Sequence, residues 1–428
     1  MDFLLFVIYL LLFAWLVTKT RFFKASGLST TTLLILFLLK VIAGIFYGWM
    51  GTHYSGTAQM VDTWNYHAQG IRELEVLFDR PGEYFTNLFH NPYPDGYSKL
   101  FASSGSFWND LKSNIFIKFI SILDLLSQGR YYVNVIFFAY ITLFGPIAVF
   151  RVMKEQFPQK EKWILAAIFL CPSFLYWSSG IHKEGLLFLG LSLIIYHVYF
   201  TIKEKRISVK RSAGIFLGLL LLFTLRNAML VIVVPALIAW MAALRWNKRI
   251  PVTFGIVYLI FFTLFFTLRY INPRLDFPQA VVEKQQAFVN LVGYSSIPIR
   301  SLEPTAVSFL INLPQALSLS ALRPYPSDIR HLPSLFSAIE TALILILLLL
   351  FIFFKRPRIY PPDAVLYFTA CLSFTLLLVV GFSVNNLGAI VRYRSIVLPL
   401  ILIPVVAGMD WKRLFGLFSN SKIRAQQP

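Results

Sequence analysis

The sequence predicts an all-α polytopic integral membrane protein: a single transmembrane domain, 1–428, of about eleven spanning helices (roughly 10–13). Three observations predict it. Of the 428 residues, 57% are hydrophobic and 14% charged, whereas a soluble domain is about half apolar and about a quarter charged. The apolar residues cluster into runs long enough to cross a hydrocarbon core of about 30 Å. Short basic loops alternate with longer loops of mixed charge.

The first run, "DFLLFVIYLLLFAWLVT" (2–18), has no basic residue ahead of it and no small-residue cleavage site. It reads as a retained span rather than a signal peptide. Further spans fall near 28–50, 132–153, 162–179, 183–202, 212–225, 228–244, 251–270, 335–354, 362–383 and 388–408. The loops "KTRFFK" (19–24), "KEKRISVKR" (203–211), "RWNKR" (245–249) and "KRPR" (355–358), and the tail from Lys412, carry most of the net charge of +19. Basic loops stay on the cytoplasmic side. The N-terminus is therefore expected outside and the C-terminus inside, and the charge reads as topology rather than nucleic-acid binding.

Two long segments then face outward. The first, 51–131, mixes acidic and basic residues, and its stretch "SNIFIKFISILDLLSQ" puts Lys118, Ser121 and Asp124 three apart on an apolar helix. One polar stripe on such a helix predicts an interfacial or re-entrant element. The second, 271–334, is rich in proline, and its apolar part "TAVSFLINLPQALSLSA" reads as broken at Pro314. Cys171 and Cys371 each sit inside an apolar run and read as small buried hydrophobes. No internal repeat or matched pair of interrupted helices marks a secondary transporter.

Charge near lipid is costly, so the charged groups at the outer ends of spans are the candidate site. Lys183 and Glu184 open a span beside His182. Arg226 sits in the tight turn "TLRNAML", Arg323 in "LRPYPSD", and Arg392 and Arg394 in "NNLGAIVRYRSIVLP". Each alone reads as a snorkelling anchor. Together they supply cations to one outer level against the positive-inside bias, with few acids adjacent in sequence, and paired arginine hydrogen bonds suit a lipid phosphate or diphosphate. At the start of a helix Lys183 and Glu184 would point about 100° apart, so they need not pair.

Asp62 is the candidate base. In "TAQMVDTWNYHAQG" it lies four before Tyr66, on one face of a helix. A carboxylate partly desolvated beside a membrane is expected to have a raised pKa. The competing reading is an N-cap for a helix starting at Thr63. Asp95 and Asp110 are weaker candidates for the same work. The aromatics Trp64, Tyr66, Tyr84, Tyr93, Tyr97 and Trp108 crowd the first outer loop, and in a wet cleft flat rings would suit sugars. Inside the spans, Lys40 and His197 are the polar points a transport path would need. No nucleotide loop, HExxH pair or cysteine set appears, so no cofactor is implied and a divalent metal has no ligand set.

These residues resemble the C-type glycosyltransferases (the GT-C superfamily), polytopic membrane enzymes that move a sugar from a polyprenyl-phosphate carrier to an acceptor on the outer face. The resemblance implies an acidic catalytic residue in the first large outer loop, here Asp62, with Tyr66 following. It also implies lipid-phosphate-binding cations in later outer turns, here Lys183, Arg226, and Arg392 or Arg394, with Arg323 beside them. Trp64, Tyr66, His182, Glu184 and Asp110 would line the substrate. Asp62 is followed by Thr63 where many members carry a second acid, and two spans precede the loop where many have one. The end "RYRSIVLPLILIPVVAG" is also similar to O-antigen polymerases. A polymerase or ligase acting on a lipid diphosphate, with Asp62 non-catalytic, is the alternative, and a transporter or flippase of lipid-linked sugars is the reading of another class. "PSFLYWSSGIHKEGLLF" and "LRPYPSD" resemble bacterial envelope proteins of the same broad kind. The implied partners are a polyprenyl-phosphate-linked sugar, a glycan or lipid acceptor and membrane lipid. The implied location is the bacterial inner membrane.

Overall fold

The computed structural model describes residues 2–53, 58–102, 104–245, 249–291, 293, 295–356 and 363–416. The basic stretches at 246–248 and 357–358 and the tail beyond 416 lie outside the described residues. Among the described residues the chain is helical, apart from isolated bridges pairing Ser296 with Asn386 and Lys355 with Met409.

The elements follow the apolar runs. α1 (Asp2–Lys19), short α2 (Arg21–Lys24) and α3 (Thr30–His53) open the chain. The first long segment folds into α4 (Ala58–Asp79), α5 (Pro81–Thr86) and α6 (Phe107–Ser127). Then come α7 (Tyr131–Gln156), α8 (Glu161–Phe169), α9 (Pro172–Ser179), α10 (Lys183–Lys203), α11 (Val209–Arg226), α12 (Ala228–Arg245) and α13 (Ile250–Thr267). The second long segment holds α14 (Phe277–Val289) and α15 (Ala306–Leu317). α16 (Leu332–Phe354), α17 (Ala364–Ser383), α18 (Leu387–Ser395) and α19 (Leu398–Gly408) close the fold.

The chain is an all-helical membrane protein. Among the described residues seven unbroken helices are long and apolar enough to cross a membrane: α3, α7, α10, α12, α13, α16 and α17. An eighth span is made if α18 and α19, bent by 61°, count as one. The remaining expected spans are a short apolar helix (α1), a helix opening with charged residues (α11) and a helix interrupted between Phe169 and Pro172 (α8 and α9). Pro314 does not break α15, which runs through it to Leu317 and widens into a π turn, Ser318–Leu322. A proline removes one backbone donor, and here the wider turn follows it.

Burial sorts the bundle. α7 and α10 are enclosed, whereas α13 and α16 present Leu259, Phe262, Leu343, Ile346, Leu349 and Phe353 outward. An apolar face of that extent is stable only against lipid or another apolar surface. α10 and α11 cross closely: a Cβ on Gly218 would stand 2.6 Å from the Gly190 carbonyl oxygen. Small residues let the two backbones approach without a bulky ridge.

Connections between antiparallel neighbours are short. The end of α9, the starts of α10 and α12, the end of α11, and the α17–α18 turn therefore share one end of the bundle, with α4, α6 and α14 laid against it. The basic α10–α11 connection, 204–208, lies at the other end.

Candidate functional site

A cavity of about 330 Å3 opens where these ends meet, small among ligand sites of roughly 300–1,000 Å3. Its lining includes Asp62, His182, Lys183, Arg226 and Arg392 with Lys112 and Lys284, together with apolar residues such as Ile232, Phe265, Leu376 and Val380.

Each polar group is placed by its helix. α4 begins at Ala58, so Asp62 is inside the helix rather than capping one at Thr63. It shares a face with Tyr66, and both line the cavity. Gly180–His182 turn the chain between α9 and α10, so Lys183 and Glu184 fall in the first turn of α10. A carboxylate suits the positive end of a helix. Glu184 is buried and does not pair with its neighbour: it accepts from the His182 Nδ1 side, from Arg226 Nη2 at 2.8 Å, and faces Arg392 Nε at 3.6 Å. Lys183 instead donates to Ser113 Oγ at 3.2 Å and lies 5.0 Å from the Tyr66 ring centre.

Arg392 is the hub. Its Nη1 donates to Asp62 Oδ2 at 3.1 Å and to His182 Nε2 at 3.4 Å, and its guanidinium lies 5.7 Å from the Trp177 ring centre. His182 thus stands between the two carboxylates, its Nδ1 beside Glu184 and its Nε2 3.7 Å from Asp62 Oδ2. Asp62 departs from expectation. Burial pushes its carboxyl up, but the adjoining His182 and the charge of Arg392 outweigh that and hold it below the usual carboxylate range. The expectation of a raised pKa missed Arg392, which lies 330 residues away in sequence. Tyr66 is pushed up to about 12, by burial first and then by the charge of Asp62.

The expected single set of cations divides. Arg392 and Arg394 are two apart on α18, about 200° around the helix. Arg394 therefore faces away and is buried, donating to the carbonyl oxygens of Ser320 at 3.2 Å and Arg323 at 2.6 Å and to Thr341 Oγ1 at 2.6 Å. Arg323 is held by Asp328 at 3.1 Å. Neither lines the cavity, which corrects their assignment to the same anion site.

The aromatic set does not form one cleft either. Only Tyr66 of the six lines the cavity. Trp64 stacks on Tyr131 at 4.1 Å and donates to the Gly48 carbonyl at 2.9 Å. Trp108 donates to the Tyr97 carbonyl, and Tyr93 donates to Asp110 Oδ2 at 2.8 Å, engaging that carboxylate outside the cavity.

Lys112 on α6 and Lys284 on α14 were not singled out in the sequence. Each is the polar face of an amphipathic helix, and nothing local says that the two faces meet. Among the described residues no carboxylate lies within 4.0 Å of Lys112, Lys183 or Lys284. Burial first, then the charges of Lys284 and Arg226, lowers Lys112 to about 8. Lys284 is lowered too, by burial first and then chiefly by Arg226 and Arg392. Among the described residues no group of three or more His, Cys, Asp or Glu side chains is placed to hold a metal ion.

The chain matches no protein-family model, no curated protein and no solved structure. The functional reading rests on the geometry of this cavity.

Proposed function

We propose that the protein is a membrane glycosyltransferase that moves a sugar from a polyprenyl-phosphate-type carrier to a glycan or lipid acceptor. The reading places it in a bacterial inner membrane, with the cavity on the extracytoplasmic side. The observation that carries it is the amphiphilic cavity: lysines and arginines and an extensive apolar lining in one cavity, at the end of the bundle opposite the basic 204–208 connection. Cations bind the carrier's phosphate, and the apolar lining accommodates the start of its tail.

Transfer follows from the same residues. The acceptor hydroxyl attacks the anomeric carbon, the bond from that carbon to the phosphate oxygen breaks, and the leaving phosphate keeps the electron pair. Its growing charge falls on Lys183, Arg226 and Arg392. The acceptor's proton passes to the Asp62 carboxylate. Paired with Arg392, Asp62 is a weak base. A phosphate that competes for Arg392 loosens that pair and raises its basicity, so donor binding prepares the base.

Transport fits less well. The lining spans Leu376–Val384 and Ala228–Ile232. Eight steps at 1.5 Å per residue reach about 12 Å, under half of a core of about 30 Å. Lys40 is engaged with Ser178 and Ser179 and does not line the cavity.

One observation favours a second reading. The bond from Arg392 to Asp62 makes the carboxylate an electrostatic partner, as in a polymerase or ligase in which Asp62 is non-catalytic. Asp62→Asn separates the two in a transfer assay with a lipid-linked sugar donor. The transferase reading predicts a fall of about 10²–10⁴-fold in turnover with carrier binding retained; unchanged turnover supports the second reading.

A further inference from the structure

Resting on the reading of the cavity as a lipid-phosphate site, we propose that its ligand is a lipid diphosphate ester rather than a lipid monophosphate, with Lys112, Lys183 and Lys284 as the groups that hold the second phosphate. Five cations face the site, and two carboxylates are bound to them. Glu184 engages Arg226 and Arg392, and Asp62 engages Arg392. Among the described residues the formal excess, with every group ionised, is three positive charges, all on lysines that enter from three different helices, α6, α10 and α14.

A monophosphate diester carries one negative charge. Placed here, it would leave two ammonium groups facing each other in a partly buried cavity, where like charges repel strongly. A diphosphate diester carries two charges on two tetrahedral groups. It gives Arg392 and Arg226 one phosphate and the lysines the other. Burial first, and then the charges of Lys284 and Arg226, weighs against the ammonium form of Lys112, and a second phosphate would offset the part due to the neighbouring cations. The apolar lining residues Phe265, Phe277, Val379 and Val380 give a tail an apolar surface within the same cavity, which favours a lipid diphosphate over a free or nucleotide-borne one.

The experiment is equilibrium binding to the full chain in nanodiscs at pH 7, with farnesyl methyl phosphate, the terminal methyl ester of farnesyl diphosphate and inorganic pyrophosphate as probes, so that the two lipids carry one and two charges. The proposal predicts that the diphosphate diester binds at least about tenfold tighter than either of the others. It also predicts that Lys112→Gln and Lys284→Gln each erase most of the preference over the monophosphate. Neither lysine is bound to a carboxylate among the described residues, so both variants are expected to fold, with the thermal midpoint as the control. Equal binding of the two lipids, unaltered in both variants, overturns the diphosphate assignment and leaves the lipid-phosphate reading standing. Pyrophosphate binding as tightly as the lipid overturns the lipid part. Failure of both lipids to bind overturns the underlying reading itself.

Discussion

At the scale of single residues, Glu184 organises the site. It is buried, and it holds His182, Arg226 and Arg392 together from the first turn of α10. Glu184→Gln leaves two arginines short of their counter-charge in a largely desolvated place, and breaking such a pair costs about 3 kcal/mol or more. Thermal unfolding in detergent should report a clear drop, and a midpoint equal to the parent's would show that the cluster is dispensable. Lys112 supplies a pH test with two opposite signs. Its folded pKa of about 8 lies below its ordinary value of 10.5. Between those two values the unfolded chain binds more protons, so this group makes the ligand-free protein more stable as pH rises. Phosphate binding has the opposite trend, because it needs the ammonium form: affinity should fall as pH climbs above about 8, and the trend should weaken in Lys112→Gln, the remainder coming from the other cavity lysines such as Lys284, which is lowered too. Asp62 was legible as a site residue because a carboxylate at that level is unusual. Its lowered pKa was not legible, since the groups that outweigh burial, His182 and then Arg392, come from distant parts of the chain.

At the scale of elements, two devices set the geometry. The first is the phase of α18. Its residues 392 and 394 face opposite sides, which gives paired predictions. Arg392→Gln should weaken carrier binding by about tenfold or more, with the protein still folded. Arg394→Met strands two buried carbonyl groups and Thr341 and should cost roughly 3 kcal/mol of stability, while carrier affinity in the folded fraction stays within about twofold. Equal effects of the two substitutions on binding would contradict the division of the cations. The second device pins α9. Lys40, buried in α3, donates to the Ser178 carbonyl at 3.1 Å, to Ser178 Oγ at 3.2 Å and to Ser179 Oγ at 3.1 Å. Cations favour a helix C-terminus, and this one fixes the turn that presents His182. Lys40→Met should lower the thermal midpoint by an amount equivalent to about 1–3 kcal/mol and reduce transfer, although Lys40 touches no part of the cavity. The apolar runs disclosed the helices long enough to cross a membrane, because lipid demands contiguous hydrophobic length, but not α2, α4, α5 or α14. They did not disclose the kink that separates α8 from α9 or the π turn after α15, which depend on packing rather than hydropathy.

At the scale of the whole molecule, the bundle brings α4, α6, α10, α11, α14 and α18 to one end and closes a cationic, half-apolar cavity there. Its location at helix ends could be read from charged residues placed where apolar runs stop. Its membership could not. Arg323 and Arg394 lie at the same level of the sequence map as Arg392 yet belong to a separate structural group, whereas Lys112 and Lys284 were hidden on helices of ordinary amphipathic pattern. A short-chain polyprenyl diphosphate bound to the full protein, with its phosphorus positions determined by electron cryomicroscopy, tests the central claim most directly. The account predicts both phosphates within hydrogen-bonding reach of Arg392, Lys183 and Lys112 or Lys284, and a tail running past Phe265 and Val380. Phosphates found beside Arg323 and Arg394, or at the basic connection on the opposite end, would contradict it.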